Sequence, residues 1–156
     1  MVCTSYYKSP IGLIKLKEEN QQIVFIDFVK TNTKKLSQIK SKIILSAIKQ
    51  LDEYFNGKRI KFTIPLALFG TDFQKCVWSE LLKIPFGQIK TYTEIAKAIG
   101  HPRSARAVGQ AMHRNPIAII VPCHRVVGVN GLTGYAGGLS KKAWLLDHED
   151  ARVLNM

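Results

Sequence analysis

The spacing of apolar residues changes along the first part of the chain, and this change constrains the fold more than any other feature. Residues 2–29 contain two segments, 11–17 and 23–29, that are rich in β-branched and aromatic residues and are separated by a polar turn, which predicts strands. Residues 41–55 instead place apolar side chains on one stripe with a 3.6-residue period, which predicts a helix. Gly57 is expected to end that helix.

A boundary is expected soon after this helix. The segment 65–70 is interpreted as a linker between a small α/β module, residues 1–65, and a second domain, residues 66–156. A chain of this length suits a small module followed by a larger one. In the second domain, residues 73–82 are amphipathic and predict a helix, which Pro85 breaks.

Two further helices are predicted close together. Thr91 and Glu94 match a capping box, in which the hydroxyl caps the helix and the carboxylate reaches back to the cap. This helix is expected to run to Ile99, and a second one to span 104–113. Two short helices joined by a turn that contains Gly100 are typical of a helix-turn-helix.

The segments that follow have a distinctive order. Asn115-Pro116 is expected to end the second helix, and the apolar residues 117–121 predict a buried strand. The sequence Pro-Cys-His-Arg occupies 122–125, and a glycine-rich loop follows at 128–138. A last helix is predicted from 140 to 148.

The charge is strongly unbalanced. The chain has 23 Lys+Arg against 11 Asp+Glu, a net charge of +12. Such an excess favours polyanions, namely DNA, RNA or an anionic membrane surface, although it can also serve solubility. Segment 83–125 contains seven basic residues and one acid, Glu94. Four of the seven are arginines, which bind phosphate better than lysines do, so a nucleic acid partner is favoured.

Membrane and secretory signals are not expected. No apolar run approaches the roughly 18–20 residues that a membrane span requires. The N-terminus lacks the basic and apolar segments of a secretory signal. We therefore expect no membrane partner and an intracellular location, cytoplasmic in a prokaryotic cell or nuclear in a eukaryotic one.

The cysteines do not suggest a disulfide framework. Cys3 is near a terminus, Cys76 falls in an apolar helical pattern and is expected to be buried, and Cys123 lies in the Pro-Cys-His-Arg sequence. The histidines all follow residue 100 and have no ligand spacing, so no metal site is expected.

Cys123 is the first candidate for chemistry. A thiolate is a strong nucleophile, and nearby positive charge favours it. His124 could act as the base through a water, because adjacent residues rarely point at each other. The alternative is an inert buried cysteine beside a surface histidine, and the dipeptide alone does not decide between the two.

Two other segments have both an ordinary and a functional interpretation. The helix at 104–113 carries small residues that could serve tight packing in a core, but its flanking arginines favour an approach to DNA. The loop at 128–138 could close over a ligand or could be a simple surface connection.

Taken together, these features resemble the O6-alkylguanine–DNA alkyltransferase family. The matching segments are RAVGQAMHRNP at 106–116, IIVPCHRV at 119–126, GYAGGL at 134–139 and WLLDHE at 144–149. The resemblance covers residues 72–150, about half of the chain. It implies an α+β or α/β fold class: a small ribonuclease-H-like sheet-and-helix module followed by a mainly helical, winged helix-turn-helix-like domain.

The resemblance implies the reaction. Cys123 is expected to accept the alkyl group from O6 of a guanine that has been flipped out of the duplex. In the implied relay, Glu149 orients His124, which activates a water that takes the thiol proton. Tyr92 is expected to push the 3′ phosphate and to protonate the guanine. The thioether is stable, so each molecule is expected to react once, with O4-alkylthymine as a second substrate.

The resemblance also implies how DNA is bound. Arg106 is expected to enter the base stack and fill the gap left by the flipped base. Ala105, Ala107 and Gly109 are expected to let the helix lie in a minor groove, and Arg114 to contact DNA.

A base pocket follows from the same resemblance. Met112 is expected to line it, and Asn115 to hold the turn between the recognition helix and the active-site strand. Backbone groups of Cys123 and Val126 are expected to accept hydrogen bonds from the guanine amine. The loop at Tyr135 and Ala136 is expected to cover the base. Some relatives have serine at the position of Ala136, so a side-chain hydrogen bond to the O6 region is absent here.

The implied partner is double-stranded DNA that contains O6-alkylguanine. No cofactor is implied. The zinc site of some relatives needs Cys and His near the N-terminus, where only Cys3 is present. A monomer with no obligate protein partner is expected.

Three other functions remain open from the residues alone. A damage-binding protein without repair activity would show an unreactive Cys123 and retained binding to damaged DNA. A helix-turn-helix regulator would bind a specific undamaged sequence. A cysteine hydrolase would turn over an ester or amide many times.

Overall fold

The computed structural model describes residues 2–30 and 41–151, and the chain divides into two compact units, Met1–Phe69 and Gly70–Met156. The first unit contains strands β1 (Val2–Ser9), β2 (Gly12–Glu19) and β3 (Gln22–Phe28) and helix α1 (Lys42–Phe55). The second contains α2 (Asp72–Leu81), β4 (Lys90–Thr91), α3 (Tyr92–Ala98), α4 (Ala105–His113), β5 (Val126–Val127) and α5 (Leu139–His148). The first unit is thus a small antiparallel sheet with a helix, and the second is mainly helical. This confirms the α+β alternative of the predicted fold class.

The sheet of the first unit is a meander in which β2 pairs antiparallel with both β1 and β3. Asn20 and Gln21 have φ angles of 53° and 63°, the positive values that a two-residue type I′ hairpin requires. Part of the predicted linker is ordered against this sheet, since Leu66 pairs in parallel with Ile23 of β3.

Helix α1 confirms the predicted apolar stripe. The Ser41 hydroxyl accepts a hydrogen bond from the Ile44 N–H at 3.1 Å and caps the helix. Gly57, with φ of +72°, follows its end. The helix packs on all three strands, and its buried apolar residues are Ile44, Ala47, Leu51, Tyr54 and Phe55.

In the second unit, α4 packs against both α2 and α3. Trp78 of α2 is buried, and its indole N–H donates to the Ala111 carbonyl of α4 at 2.9 Å. The predicted capping box of α3 is present: Thr91 accepts from the Glu94 N–H, and Glu94 accepts from the Thr91 N–H, both at 3.1 Å. Gly100, with φ of 80°, lies in the turn between α3 and α4.

The prediction of a strand at 117–121 is wrong, although the segment is buried. It forms a turn in which the Val121 N–H donates to the Ile117 carbonyl at 3.1 Å, and Ile119 has φ of 71°. The Asn115 side chain fixes this turn, because its amide donates to the Val121 carbonyl and its oxygen accepts from the Ile117 N–H, each at 2.9 Å. A short apolar run indicates burial, but its periodicity does not reveal the backbone conformation.

The prediction that Cys76 is buried is also wrong. Cys76 is exposed on α2, whose buried residues are Val77, Trp78 and Leu81. The helix was correctly placed, but Cys76 lies just outside its buried face.

Within residues 2–30 and 41–151, no helix has the length and apolar content needed to cross a membrane.

Candidate active site

Cys123 lies in a 3-10 turn, Cys123–Arg125, that directly follows the buried turn at 117–121. All three residues of the 3-10 turn are at most 8% exposed. The next element, β5, pairs in parallel with β4, and Tyr92 begins α3 immediately after β4. This short pairing brings Tyr92 and Cys123 to the same end of the second unit.

Glu149, at the end of α5, binds both basic side chains of the 3-10 turn. His124 Nε2 lies 2.8 Å from Glu149 Oε2, and Arg125 donates from Nε to Oε1 at 2.8 Å and from Nη2 to Oε2 at 3.0 Å. Burial by itself raises the pKa of Glu149, but the hydrogen bonds from His124 and Arg125 and the positive charge of Arg125 outweigh burial and hold this pKa well below its usual range. Glu149 is therefore an ionised carboxylate at neutral pH.

Arg125 does not serve as the phosphate-binding arginine that the charge pattern suggested. It is buried, pairs with Glu149, and also donates from Nη1 to the Ile84 carbonyl at 2.7 Å. The exposed arginines of the basic segment are Arg103, Arg106 and Arg114. Local charge counts do not distinguish a surface arginine from one that neutralises a buried acid.

His124 is buried and neutral. Burial lowers its pKa, and the charges of Arg125 and Lys142 lower it further against the opposing effect of Glu149. Because an ionised carboxylate can only accept, the ring hydrogen must be on Nε2, which leaves a lone pair on Nδ1. Nδ1 has no hydrogen-bond partner among the described residues and is therefore a proton acceptor inside the site.

Asn115 and Lys142 both act on the sulfur of Cys123. Asn115 donates from Nδ2 to Sγ at 3.3 Å. Lys142 is buried, and its charge interacts with Cys123; burial lowers the pKa of Lys142 to about 8, and Cys123 opposes this effect. A hydrogen-bond donor at the sulfur and a positive charge that interacts with it both stabilise a thiolate.

Lys142 also connects the loop to the site. Its ammonium donates to the Val126 carbonyl at 2.6 Å and to the Gly134 carbonyl at 3.2 Å. The sequence pattern does not point to this residue, because a lysine next to another lysine on a predicted helix is typical of a solvent-exposed face.

A small pocket of about 100 Å³ opens above Cys123. It is lined by Tyr92, Gly109, Met112, His113, Cys123, Gly134, Tyr135 and Ala136. Met112, Tyr135 and Ala136 therefore lie where a base pocket was predicted. Asn115 and Val126 are not among its lining residues and instead support it through the hydrogen bonds described above. His113 and Gly134 were not predicted.

Helix α4 forms one side of the pocket mouth and presents small and basic residues. Ala105, Ala107 and Gly109 are half-buried, whereas Arg106 and Arg114 are exposed. Gly109 faces the Tyr92 ring, because a Cβ added at Gly109 would lie 3.7 Å from Cε1 of that ring. Among residues 2–30 and 41–151, no group of three or more His, Cys, Asp and Glu side chains could hold a metal ion.

The fold and the site together define a class of protein. A cysteine that can act as a nucleophile lies in a pocket, and two packed helices with a cationic surface lie beside that pocket. Two family models match the chain: the 6-O-methylguanine DNA methyltransferase DNA binding domain over residues 72–151, and the ribonuclease-like domain of the same methyltransferase over residues 2–68.

Comparisons with individual proteins indicate the same family. The chain is 48% identical to the methylated-DNA–protein-cysteine methyltransferase of Methanosarcina acetivorans over 92% of this chain and 95% of that one. It is 46% identical to a probable methylated-DNA–protein-cysteine methyltransferase of Acanthamoeba polyphaga mimivirus, over 91% and 93%. The structure of Mycobacterium tuberculosis OGT in complex with DNA matches with a TM-score of 0.86 and 42% identity, over 94% of this chain and 92% of that one. This chain belongs to the 6-O-methylguanine DNA methyltransferase family.

Proposed function

We propose that this protein repairs DNA by transferring an alkyl group from O6 of guanine to Sγ of Cys123, once per molecule. The observation that carries the proposal is the arrangement around Cys123: the thiol lies in a pocket, and its neighbour His124 is neutral, with one nitrogen held by Glu149 and the other able to accept a proton.

The residues of the site account for each proton and electron pair. Glu149 holds the hydrogen of His124 on Nε2, so that Nδ1 takes the thiol proton through a water. The sulfur then attacks the alkyl carbon, a C–S bond forms, and the C–O6 bond breaks with its electrons on the guanine oxygen. Tyr92 lines the same pocket and can supply a proton to the leaving guanine.

The product explains why the reaction occurs once. A thioether on Cys123 is stable, because a thiolate is a poor leaving group from an alkyl carbon, and the alkyl group therefore stays on the sulfur. The pocket walls at Met112, Tyr135 and Ala136 would enclose the base. O4-alkylthymine presents an alkyl group in the same kind of ether bond and is proposed as a second substrate.

Helix α4 is the proposed contact with DNA. Its small residues allow a close approach to a minor groove: Ala105, Ala107 and Gly109. Arg106 is exposed and long enough to replace a flipped base, and Arg114 can reach phosphate. We also assign to Tyr92, which lies beside Gly109, the role of pushing the 3′ phosphate. The net charge of +12 supports binding to the DNA backbone.

We assign these contacts to double-stranded DNA containing O6-alkylguanine, bound by a monomer that needs no other protein. The proposed location is the cytoplasm of a prokaryotic cell, or the nucleus if the cell is eukaryotic.

Replacement of the cysteines tests the proposal. Methyl transfer from a labelled O6-methylguanine duplex should reach one group per protein in the unmodified chain and in Cys76→Ala, which removes an exposed cysteine. Cys123→Ala should bind the duplex but accept no methyl group. Transfer to Cys123→Ala at the same stoichiometry would contradict the assignment of the acceptor.

A further inference from the structure

The hydroxyl of Thr133 lies 2.8 Å from the phenol oxygen of Tyr92. Thr133 belongs to the loop between β5 and α5, whereas Tyr92 begins α3, so this contact joins the loop to the helix across the pocket mouth. Lys142 lies against the same phenol, with its ammonium 6.0 Å from the ring centre, and donates to the carbonyl of Gly134, the residue after Thr133.

The conformation of Thr133 is held by its surroundings. Its φ angle is 55°, a left-handed value that is costly for a β-branched residue and persists only where neighbouring contacts enforce it. The preceding Leu132 packs against the cluster of Val127, Leu146 and Ala151. A Cβ added at Gly128 would overlap the methyl group of Thr133, so the glycine leaves space for that methyl and directs the hydroxyl toward Tyr92.

The direction of the hydrogen bonds follows from counting hydrogens. Thr133 Oγ1 also lies 2.7 Å from the Leu132 carbonyl oxygen, which can only accept. A threonine hydroxyl has one hydrogen. Both contacts are therefore satisfied when Thr133 donates to Leu132 and the Tyr92 hydroxyl donates to Thr133.

We propose that Thr133 is a positioning residue for Tyr92, and this inference rests on the proposed function. With the pocket empty, Thr133 holds the Tyr92 phenol in place by accepting its hydrogen. When a base enters, the Tyr92 hydrogen turns to the guanine and the Thr133 hydroxyl rotates to donate to the Tyr92 oxygen. That bond stabilises the negative charge that develops on Tyr92 as its proton moves to the leaving guanine.

Matched substitutions separate the hydroxyl from the shape of the side chain. Thr133→Val keeps the branched shape and the strained backbone but removes the hydroxyl, and Thr133→Ser keeps the hydroxyl. The second-order rate of transfer from an O6-methylguanine duplex should fall about three- to tenfold in Thr133→Val, roughly the contribution of one hydrogen bond. Thr133→Ser should stay within about twofold of the unmodified chain.

The dependence on Tyr92 distinguishes positioning from a general structural role. In a Tyr92→Phe background, Thr133→Val should cause no further loss, because the group that it positions is gone. Gly128→Ala pushes on the Thr133 methyl. It should slow methyl transfer in the chain that retains Tyr92 and have no effect in the Tyr92→Phe protein.

Three results would overturn the inference: a Thr133→Val protein as fast as the unmodified chain, equal losses in Thr133→Val and Thr133→Ser, or an undiminished Thr133→Val effect in the Tyr92→Phe protein. Failure of the unmodified chain to accept a methyl group would instead refute the proposed function. The two failures are therefore distinguishable in one set of assays.

Discussion

Replacing Arg125 with methionine should destabilise the protein by about 3–5 kcal/mol, the usual cost of leaving a buried charge without its partner. Arg125 makes two hydrogen bonds to the Glu149 carboxylate, at 2.8 and 3.0 Å, and a third to the Ile84 carbonyl at 2.7 Å. Without them Glu149, which is 1% exposed, loses the guanidinium that compensates its buried charge, and its hydrogen bond with His124 comes from a neutral ring. In a chain of this size the loss corresponds to a decrease of about 6–20 °C in melting temperature.

The chain provides a matched control in the first unit. Arg59 pairs with Glu53 at 3.1 Å, but these side chains are 25% and 31% exposed. Arg59→Met should therefore cost only about 0–1 kcal/mol. The comparison isolates burial, because the substitution is the same at both sites.

Urea unfolding followed by far-UV circular dichroism is a suitable assay, because helices and strands of both units contribute to the signal. Tryptophan fluorescence adds a signal specific to the unit that contains Arg125, since both tryptophans, Trp78 and Trp144, lie there. A loss below about 1 kcal/mol in Arg125→Met, comparable with that in Arg59→Met, would show that Glu149 does not depend on Arg125.

Two further predictions concern pH and DNA. The pKa values of His124 and Glu149 are both lowered in the folded protein, so the unfolded chain binds more protons. The free energy of unfolding should therefore decrease as the pH falls, first below about 6.5 through His124 and then below about 4.5 through Glu149. Urea unfolding at pH 7, 5.5 and 4 checks this, and a flat profile would contradict it. Arg106→Ala should slow repair of duplex DNA far more than reaction with free O6-benzylguanine, and equal losses on both substrates would argue against a role in base flipping.

The sequence was informative where local rules decide the structure. The stripe of α1 and the capping box at Thr91 and Glu94 were both confirmed, because periodicity and capping depend on neighbours a few residues away. The α+β class and the family were confirmed as well. The domain boundary at 65 and the roles given to the site residues stay predictions.

The sequence was less informative where specific side-chain hydrogen bonds decide the structure. The turn at 117–121 depends on the Asn115 side chain, and the buried state of Arg125 depends on Glu149 and Ile84, which are far from it in sequence. Lys142 is buried because it donates to carbonyls that only the folded loop brings together. None of these partners is apparent from periodicity or charge.

Intact mass spectrometry is the most direct test of Cys123 as a stoichiometric acceptor of alkyl groups. The protein is mixed with a duplex that contains one O6-methylguanine, and peptide mapping follows. We expect a gain of about 14 Da on the peptide containing Cys123, saturating at one group per molecule. No gain in mass, with binding to the damaged duplex preserved, would contradict it and would indicate a protein that recognises the lesion without repairing it.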